Sequence, residues 1–406
     1  MSRHGNRMIE RFDVAALRRE FPVTERMLYL DAAHQTPLAR RVRAAFDSFY
    51  AEGLEYGGPK PLWLERVEAV RAQVAALIGA EPGEIAFTKN TSEGLNIAAN
   101  AIPFAAGDNV LMIEGDHPNN TYAFLNLRRK GVQVRFLPLS GERVDAATFA
   151  DHVDARTRAI SISHVTFHSG HRFDVESIGR LARDRHLHLV VDAMQSIGVL
   201  PVDVAKIGAA MIAFGCHKGL YVPQGLGVLY VRKDLTELQP TYLATAGLAD
   251  PPADLIARAD NMALRADAGR FEIGNYNIPN IHALAASLAM IEALGVDAIS
   301  NHLLDLGDHL IKRLDGMGIR LVGPRQRANR SHIYVLDLPG EGWADYLASQ
   351  EVRVSPERDG IRVSFGVFNT VEDIDRLVEI IRRRSDLQSP IEKLTATGSS
   401  RGDPAC

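Results

Sequence analysis

Short apolar runs rich in β-branched residues alternate with helix-period segments through the middle of the chain. Each run has the length and composition typical of a buried strand. The seven predicted strands are EIAFT (84–88), NVLMIE (109–114), VQVRFLPL (132–139), RAISISHV (158–165), HLVVDA (188–193), AAMIAFG (209–215) and GVLYVRK (227–233). The alternation predicts an α/β fold, with a large domain whose mostly parallel seven-stranded sheet is covered by helices. The last two strands are expected to pair antiparallel or to be sheet neighbours, because only a short loop joins them.

The pattern changes near residue 280. Two helical segments, several short strands and an amphipathic helix at 371–383 predict a smaller α+β C-terminal domain, joined by N-terminal segments. The predicted organisation is a disordered N-terminus (1–12), an N-terminal segment packing on the small domain (13–58), the large domain (59–280), the small domain (281–384) and a disordered tail (385–406).

Composition and charge narrow the classes of function. The 406 residues are 46% hydrophobic and 24% charged, and the net charge of -4 gives no basic field for nucleic acid. Two cysteines far apart form neither a disulfide framework nor a zinc spacing, so no metal is expected. The N-terminus lacks the apolar region of a signal peptide, and no run of 18 apolar residues occurs. We therefore expect a cytoplasmic protein without a membrane or nucleic-acid partner.

Polar residues follow the first two predicted strands. Thr91 and Ser92 open a helix, where hydroxyls and free backbone N–H groups suit a phosphate. Taken alone, this pattern indicates an ordinary helix cap with Glu93. His117, next to Asp116, could stack on a flat ligand or lie in an exposed turn.

Two charged residues end later strands. Asp192 ends an apolar strand, where a carboxylate needs a cationic partner such as a protonated ring nitrogen, and Gln195 follows it by about one helical turn. Lys218 follows the next strand, where desolvation would make its amine a nucleophile for a Schiff base. A helix cap and a surface lysine are the alternatives. In this order, however, the residues match the requirements of pyridoxal phosphate. Its phosphate needs hydrogen-bond donors, its ring needs a side chain stacked on one face, its ring nitrogen needs an acid, and its aldehyde needs an amine.

Several motifs make the family resemblance specific. They are LYLDAAHQTPLA from residue 28, VVDAMQS, FGCHKGLYVPQGLGVLYV, RFEIGNYNIPNI and IRVSFGVFNTVEDIDRLVEII from residue 361. Through them nearly the whole chain resembles the fold-type-I pyridoxal-phosphate enzymes, in the class V aminotransferase branch. That branch includes cysteine desulfurases, C–S lyases, kynureninase and isopenicillin N epimerase.

The resemblance assigns roles to individual residues. The catalytic group would be Lys218 as the Schiff-base lysine, Asp192 at the ring nitrogen and His117 (or Asp116) stacked on the ring. The other cofactor-binding residues would be Thr91, Ser92, Gln195 and His217, with Asn275 reaching the phosphate of the partner chain in a homodimer. The substrate-binding residues would be Arg362 at the α-carboxylate and His34, near Ala33, Tyr56 and Gly57.

The chain departs from the pattern at three places. The stretch ASQEVRVSPERDGIRVSF (348–365) lacks the cysteine of the desulfurases, and the two cysteines are Cys216, in the Schiff-base segment, and Cys406. Gly215 replaces a usual phosphate-binding serine, and Phe167 replaces an asparagine of many relatives. We therefore expect an aminotransferase acting on an amino acid, and not a conventional cysteine desulfurase.

Other functions stay open at this stage. A β-eliminating C–S lyase and an amino-acid epimerase share the early steps with an aminotransferase. A catalytically silent binding protein on this fold is a different class, and a nicotinamide enzyme would need a G-x-G-x-x-G motif that does not follow the first predicted strand.

Overall fold

The computed structural model describes residues 13–254 and 256–398, so the predicted disordered N-terminus (1–12) lies outside the described residues. The helices are α1 (Val14–Arg18), α2 (Arg40–Tyr56), α3 (Lys60–Ile78), α4 (Thr91–Ala101), α5 (Pro118–Leu125), α6 (Ala146–Ala150), α7 (Val175–Asp184), α8 (Val204–Ile207), α9 (Ile278–Leu294), α10 (Val296–Asp315), α11 (Trp343–Ser349) and α12 (Val371–Gly398). The strands are β1 (Leu28–Tyr29), β2 (Ile85–Thr88), β3 (Asn109–Ile113), β4 (Gln133–Leu137), β5 (Thr157–Ser163), β6 (His188–Asp192), β7 (Met211–Gly215), β8 (Gly227–Val231), β9 (Arg320–Val322), β10 (Ile333–Asp337), β11 (Val352–Arg353), β12 (Ser355–Glu357) and β13 (Gly360–Ser364).

A mixed seven-stranded sheet, in the order β2-β8-β7-β6-β5-β3-β4, forms the centre of the large domain. The pairs from β7 to β4 are parallel, and β8 is antiparallel to both of its neighbours. Strands β3, β7 and β8 are buried along their whole length, which explains why they appear in the sequence as continuous apolar runs. The predicted α/β fold is confirmed, including the antiparallel pairing of the last two strands.

The C-terminal part of the chain builds a four-stranded antiparallel sheet in the order β12-β13-β10-β9, so β12 is an edge strand. The N-terminal segment meets this part twice. Strand β1 pairs in parallel with β11, and the guanidinium of Arg18 lies 2.7 Å from the carboxylate of Asp373. These contacts carry the residues after β1, which include Asp31 and His34, towards the hairpin formed by β12 and β13.

The disordered tail expected at 385–406 stays a prediction. Helix α12 continues to Gly398, through residues that the sequence predicts as a disordered tail, and residues 399–406 lie outside the described part of the chain. The first turns of α12 bury Ile374, Leu377 and Ile381.

No single helix among the described residues is long and apolar enough to cross a membrane. Helices α9 and α10 reach the length and apolar composition of a membrane span only when they are taken together. The chain bends by 74° at the break between them.

Candidate active site

A cleft of about 480 Å³ opens at the carboxyl ends of the parallel strands. Its described lining residues are Lys89, Asn90, Thr91, Ser92, His117, Asn119, Ser163, Val165, Phe167, Asp192, Met194, Gln195, His217, Lys218, Gln224 and Gly225. Seven residues singled out from the sequence meet here, because the ends of neighbouring parallel strands share one edge of the sheet. They are Thr91, Ser92, His117, Asp192, Gln195, His217 and Lys218.

Lys218 lies in the cleft on the connection between β7 and β8. Desolvation by burial lowers the pKa of its amine to about 8, although Asp192 opposes this effect. The hydroxyl of Thr36 donates a hydrogen bond to the carbonyl oxygen of Lys218 at 2.8 Å, which fixes the backbone at this point. At pH 7 about a tenth of such amines are uncharged, against about 0.03% at the ordinary value of 10.5. Lys218 is therefore available as a nucleophile and as a base.

Asp192 is the last residue of β6 and is 5% exposed. Its Oδ1 accepts a hydrogen bond of 2.9 Å from the backbone N–H of Met194. Burial raises the pKa of this carboxyl to about 7, and the nearby Asp116 adds to the rise. No ion pair of the described residues includes Asp192, so a cation arriving in the cleft would favour its charged form.

His117 and Asp116 have separate tasks at the end of β3. The Asp116 carboxylate accepts hydrogen bonds from the Ser163 hydroxyl (2.5 Å), the Ser163 N–H (2.9 Å) and the Asn120 amide (3.0 Å), and it does not line the cleft. His117 lines the cleft, with its ring centroid 4.9 Å from that of Phe167 in an edge-on arrangement. Burial lowers the pKa of His117 to about 4, so its ring is neutral. This placement favours His117 as the residue that faces a flat ligand.

The N-terminus of α4 points its first residues at the opposite end of the cleft. The side chain of Asn90 caps the helix by accepting from the Glu93 N–H at 2.9 Å, while Thr91 and Ser92 line the cleft. His217 lines the same cleft, and burial lowers its pKa to about 4. Free N–H groups, hydroxyls and a neutral imidazole donor form a site suited to a phosphate group.

Met194 explains the glycine at position 215. The Met194 sulfur lies 3.0 Å from the Thr91 hydroxyl and 3.1 Å from the Gly215 nitrogen. A Cβ atom at position 215 would lie 3.0 Å from that sulfur and 3.1 Å from the Thr91 Oγ1, which is tighter than ordinary contact. The thioether therefore occupies the space that a serine would need. The sequence reasoning missed Met194, although its place two residues after Asp192 was the available signal.

Arg362 is buried (4% exposed) on β13 and is already paired. Its Nη1 lies 2.6 Å from Oε1 of Glu357, and Nη1 also donates to the carbonyl oxygen of Phe167 at 3.1 Å. Its Nη2 donates to the Ser355 hydroxyl at 3.1 Å and lies 3.6 Å from Oδ1 of Asp31. Arg362 is not among the described residues that line the cleft, and Phe167, which does line it, connects the two.

The remaining predicted substrate residues do not line this cleft either. His34 lies close enough to lower the pKa of His217 by its charge, and the carbonyl of Ala33 accepts from the Gln195 amide at 2.9 Å. Tyr56 is 65% exposed at the end of α2, where Gly57 ends the helix with a positive φ, so these two do not contact the cleft of their own chain.

Asn275 lies in a neighbouring cavity of about 270 Å³, which shares Lys89 and Gly225 with the cleft. Its predicted contact is with the phosphate of a partner chain, and that role stays a prediction.

Cys216 is fully buried, and burial raises the pKa of its thiol. A buried thiol with a raised pKa is a poor nucleophile. Cys406 lies outside the described residues, and the described residues contain no group of three or more His, Cys, Asp or Glu side chains arranged to hold a metal ion.

Residues 28–377 match the family model of the class V aminotransferases. The chain belongs to the class V aminotransferase family. An uncharacterised aminotransferase of Schizosaccharomyces pombe is 34% identical over 379 residues, which cover 91% of this chain and 96% of the relative.

Two solved structures have the same fold as this chain. The apo cysteine desulfurase of Thermococcus onnurineus NA1 superposes with a TM-score of 0.84 at 26% identity, over 93% of this chain and 99% of that protein. C-DES, a cystine C–S lyase, superposes with a TM-score of 0.81 at 22% identity, over 90% of this chain and 98% of that protein, in a structure with glycine covalently linked to its cofactor, PLP.

The cofactor of this class V family member is pyridoxal phosphate, and the cleft fits it. Asp192 is a buried carboxylate without an ion-pair partner among the described residues, and Oε1 of Gln195 is buried without a hydrogen-bond partner. Both would meet the polar edge of the pyridine ring, while the N-terminus of α4 would meet the phosphate. Lys218 supplies the amine that the aldehyde requires.

Proposed function

We propose that this protein is an aminotransferase that acts on the α-carbon of an amino acid, with Lys218 as the proton-transferring base. The observation that carries the proposal is the Lys218 amine, which lies in the same cleft as Asp192 with a pKa lowered to about 8. Pyridoxal phosphate, when bound, supplies an electron sink for the negative charge that develops at the α-carbon. The uncharged amine of Lys218 then removes the proton from that carbon.

The other residues hold the reacting groups in place. Asp192, charged beside the ring nitrogen, would keep a proton on that nitrogen, and the neutral ring of His117 would cover one ring face. Asp192 is buried at the end of β6, and the Thr36 hydroxyl holds the backbone at Lys218, so both groups are positioned by contacts of the protein itself. Nothing in this set requires a cysteine.

A second candidate is a β-eliminating C–S lyase, favoured by the desulfurase relatives together with the cysteine-free stretch 348–365. Without a thiol to accept sulfur, removal of the α-proton by Lys218 can still expel a group from the β-carbon. An epimerase would return the proton to the α-carbon from the other face, and it ranks third.

Product analysis over a panel of amino acids, with and without an added keto acid, tests the proposal. We expect a new keto acid and a new amino acid that form only when both reactants are present. Pyruvate and ammonia formed without an acceptor would replace the aminotransferase by a lyase, and inverted substrate alone would replace it by an epimerase. Lys218→Ala is the control, and it should abolish all three outcomes.

We also propose a homodimer with shared sites and a cytoplasmic location. Large apolar side chains are exposed on α2, with Leu54 89% and Tyr50 56% exposed, and Asn275 lies beside the cleft in a separate cavity. Mixing Lys218→Ala chains with Asn275→Ala chains tests the sharing, because one dimer site then contains neither change. Recovered activity supports the shared site, whereas no recovery contradicts it; cell fractionation tests the location.

A further inference from the structure

Glu357 holds the guanidinium that the substrate carboxylate is expected to bind. Its Oε1 lies 2.6 Å from Nη1 of Arg362, and the Arg362 side chain is 5% exposed. The other contacts of Arg362 go to Phe167, Ser355 and Asp31, and only Nε is buried without a partner. A carboxylate that binds Arg362 through two parallel hydrogen bonds must therefore displace one of these partners.

Of the two acidic partners, Glu357 is the one that can leave. The Asp31 side chain is 1% exposed and is held by the Ser355 hydroxyl at 2.7 Å and by Nε of Arg353 at 3.2 Å. The Glu357 side chain is 15% exposed and stands at the end of edge strand β12, directly before the turn at Arg358 and Asp359. A side chain at the end of an edge strand can change rotamer without breaking a sheet.

A displaced Glu357 carboxylate would stay near the clamp, because it is on the same hairpin as Arg362 and lies near enough to Lys218 and His34 for their charges to oppose the rise in pKa that burial causes. The substrate α-carboxylate, Asp31 and Glu357 would then place three carboxylates around one guanidinium. A second carboxylate on the substrate side chain would add a fourth, and like charges at such separations repel strongly when partly buried. A neutral or cationic side chain avoids this repulsion.

We propose that Glu357 is a specificity-determining residue, which occupies the carboxylate clamp of the free protein and selects against amino acids with acidic side chains. The proposal rests on the proposed function only through the clamp role of Arg362. It names the substrate class as amino acids with neutral or cationic side chains. It holds equally for transfer, elimination and epimerisation, because all three begin with the same bound amino acid.

Binding measured apart from turnover tests this proposal. The holoprotein is mixed rapidly with L-alanine, L-lysine or L-glutamate, and apparent dissociation constants are read from the first absorbance change of the bound cofactor, before the α-proton is removed. Glu357→Gln, which keeps the shape and removes the charge, should bind L-alanine at least tenfold more tightly and L-glutamate by a larger factor. Glu357→Ala should shift both constants in the same direction, which guards against an effect of the amide itself.

Asp359→Asn is the matched control, since it removes one negative charge from the same hairpin at an exposed carboxylate that pairs with Arg358. It should leave all three constants within twofold. If Glu357→Gln also changes them by less than twofold while Arg362→Ala weakens binding, the clamp stands and the role of Glu357 is refuted. If Arg362→Ala leaves them unchanged, the clamp and this proposal both fail. Neither result alters the product analysis, which decides the reaction by itself.

Discussion

Replacing Asp192 by asparagine should remove a loss of stability that the apoprotein undergoes as the pH rises from about 4 to 7. Burial raises the pKa of this carboxyl from 3.8 to about 7, about three units, and each unit corresponds to about 1.4 kcal/mol. The pKa is higher in the folded chain than in the unfolded chain. The raised pKa therefore lowers the free energy of unfolding of the apoprotein. This loss is absent below about pH 4, grows as the carboxyl of the unfolded chain ionises, and reaches about 4 kcal/mol above about pH 7.

Asp192→Asn does not ionise in either state, so its constant cost of lost hydrogen bonding does not depend on pH. The stability of the variant relative to the natural chain should rise by about 2–3 kcal/mol between pH 5 and pH 8. Urea unfolding of both apoproteins at several pH values measures this difference. Bound cofactor should flatten or reverse the trend, because a protonated ring nitrogen beside Asp192 favours the charged carboxylate.

Asp359→Asn serves as the control, because Arg358 lowers the pKa of that exposed carboxyl. The Asp359 carboxylate therefore stabilises the folded chain as the pH rises, whereas the Asp192 carboxylate destabilises it. A difference between Asp192→Asn and the natural apoprotein that stays constant within about 0.5 kcal/mol from pH 5 to pH 8 would refute the reasoning. It would mean that water or a neighbouring cation already satisfies the Asp192 carboxylate.

Lys218→Ala should bind the cofactor without the covalent bond, which abolishes the absorbance of the Schiff base; an unchanged spectrum would place the reactive amine elsewhere. Gly215→Ser alone should weaken cofactor binding severalfold, because the new side chain meets the Met194 sulfur, and adding Met194→Ala should restore or improve it; equal affinities in both variants, measured by equilibrium dialysis, would contradict the steric account. Asn275→Ala should weaken cofactor binding about tenfold if its amide reaches the phosphate of the partner chain through a charge-assisted hydrogen bond, and unchanged dialysis results would show that this placement is wrong.

Much of the large domain was predictable because burial on both faces turns its parallel strands into continuous apolar runs. Each predicted strand matches an observed one within about two residues at either end. These continuous apolar runs also made the cofactor site predictable, since Asp192 and Lys218 interrupt the apolar sequence where strands end. A polar residue at a buried strand end is costly without a partner, and it therefore indicates that a ligand or another polar group lies beside it.

Contacts across long sequence separations were not predictable. Met194 and Gly215 lie 21 residues apart and meet only because β6 and β7 are neighbours. The pairing of Glu357 with Arg362 depends on the tight turn of the β12–β13 hairpin, and neither strand has a strong sequence pattern.

The cofactor half and the substrate half of the site stand on different parts of the fold, and this division bears on the choice of reaction. Lys218 and Asp192 are fixed by the large sheet, whose strand ends are buried and rigid. Arg362 and Glu357 stand on a short hairpin at the edge of the small sheet. We expect substitutions in this hairpin to change substrate binding more than cofactor binding. The large sheet positions Lys218 and Asp192 in the cofactor cleft, and we expect differences between members of the family to lie in the hairpin.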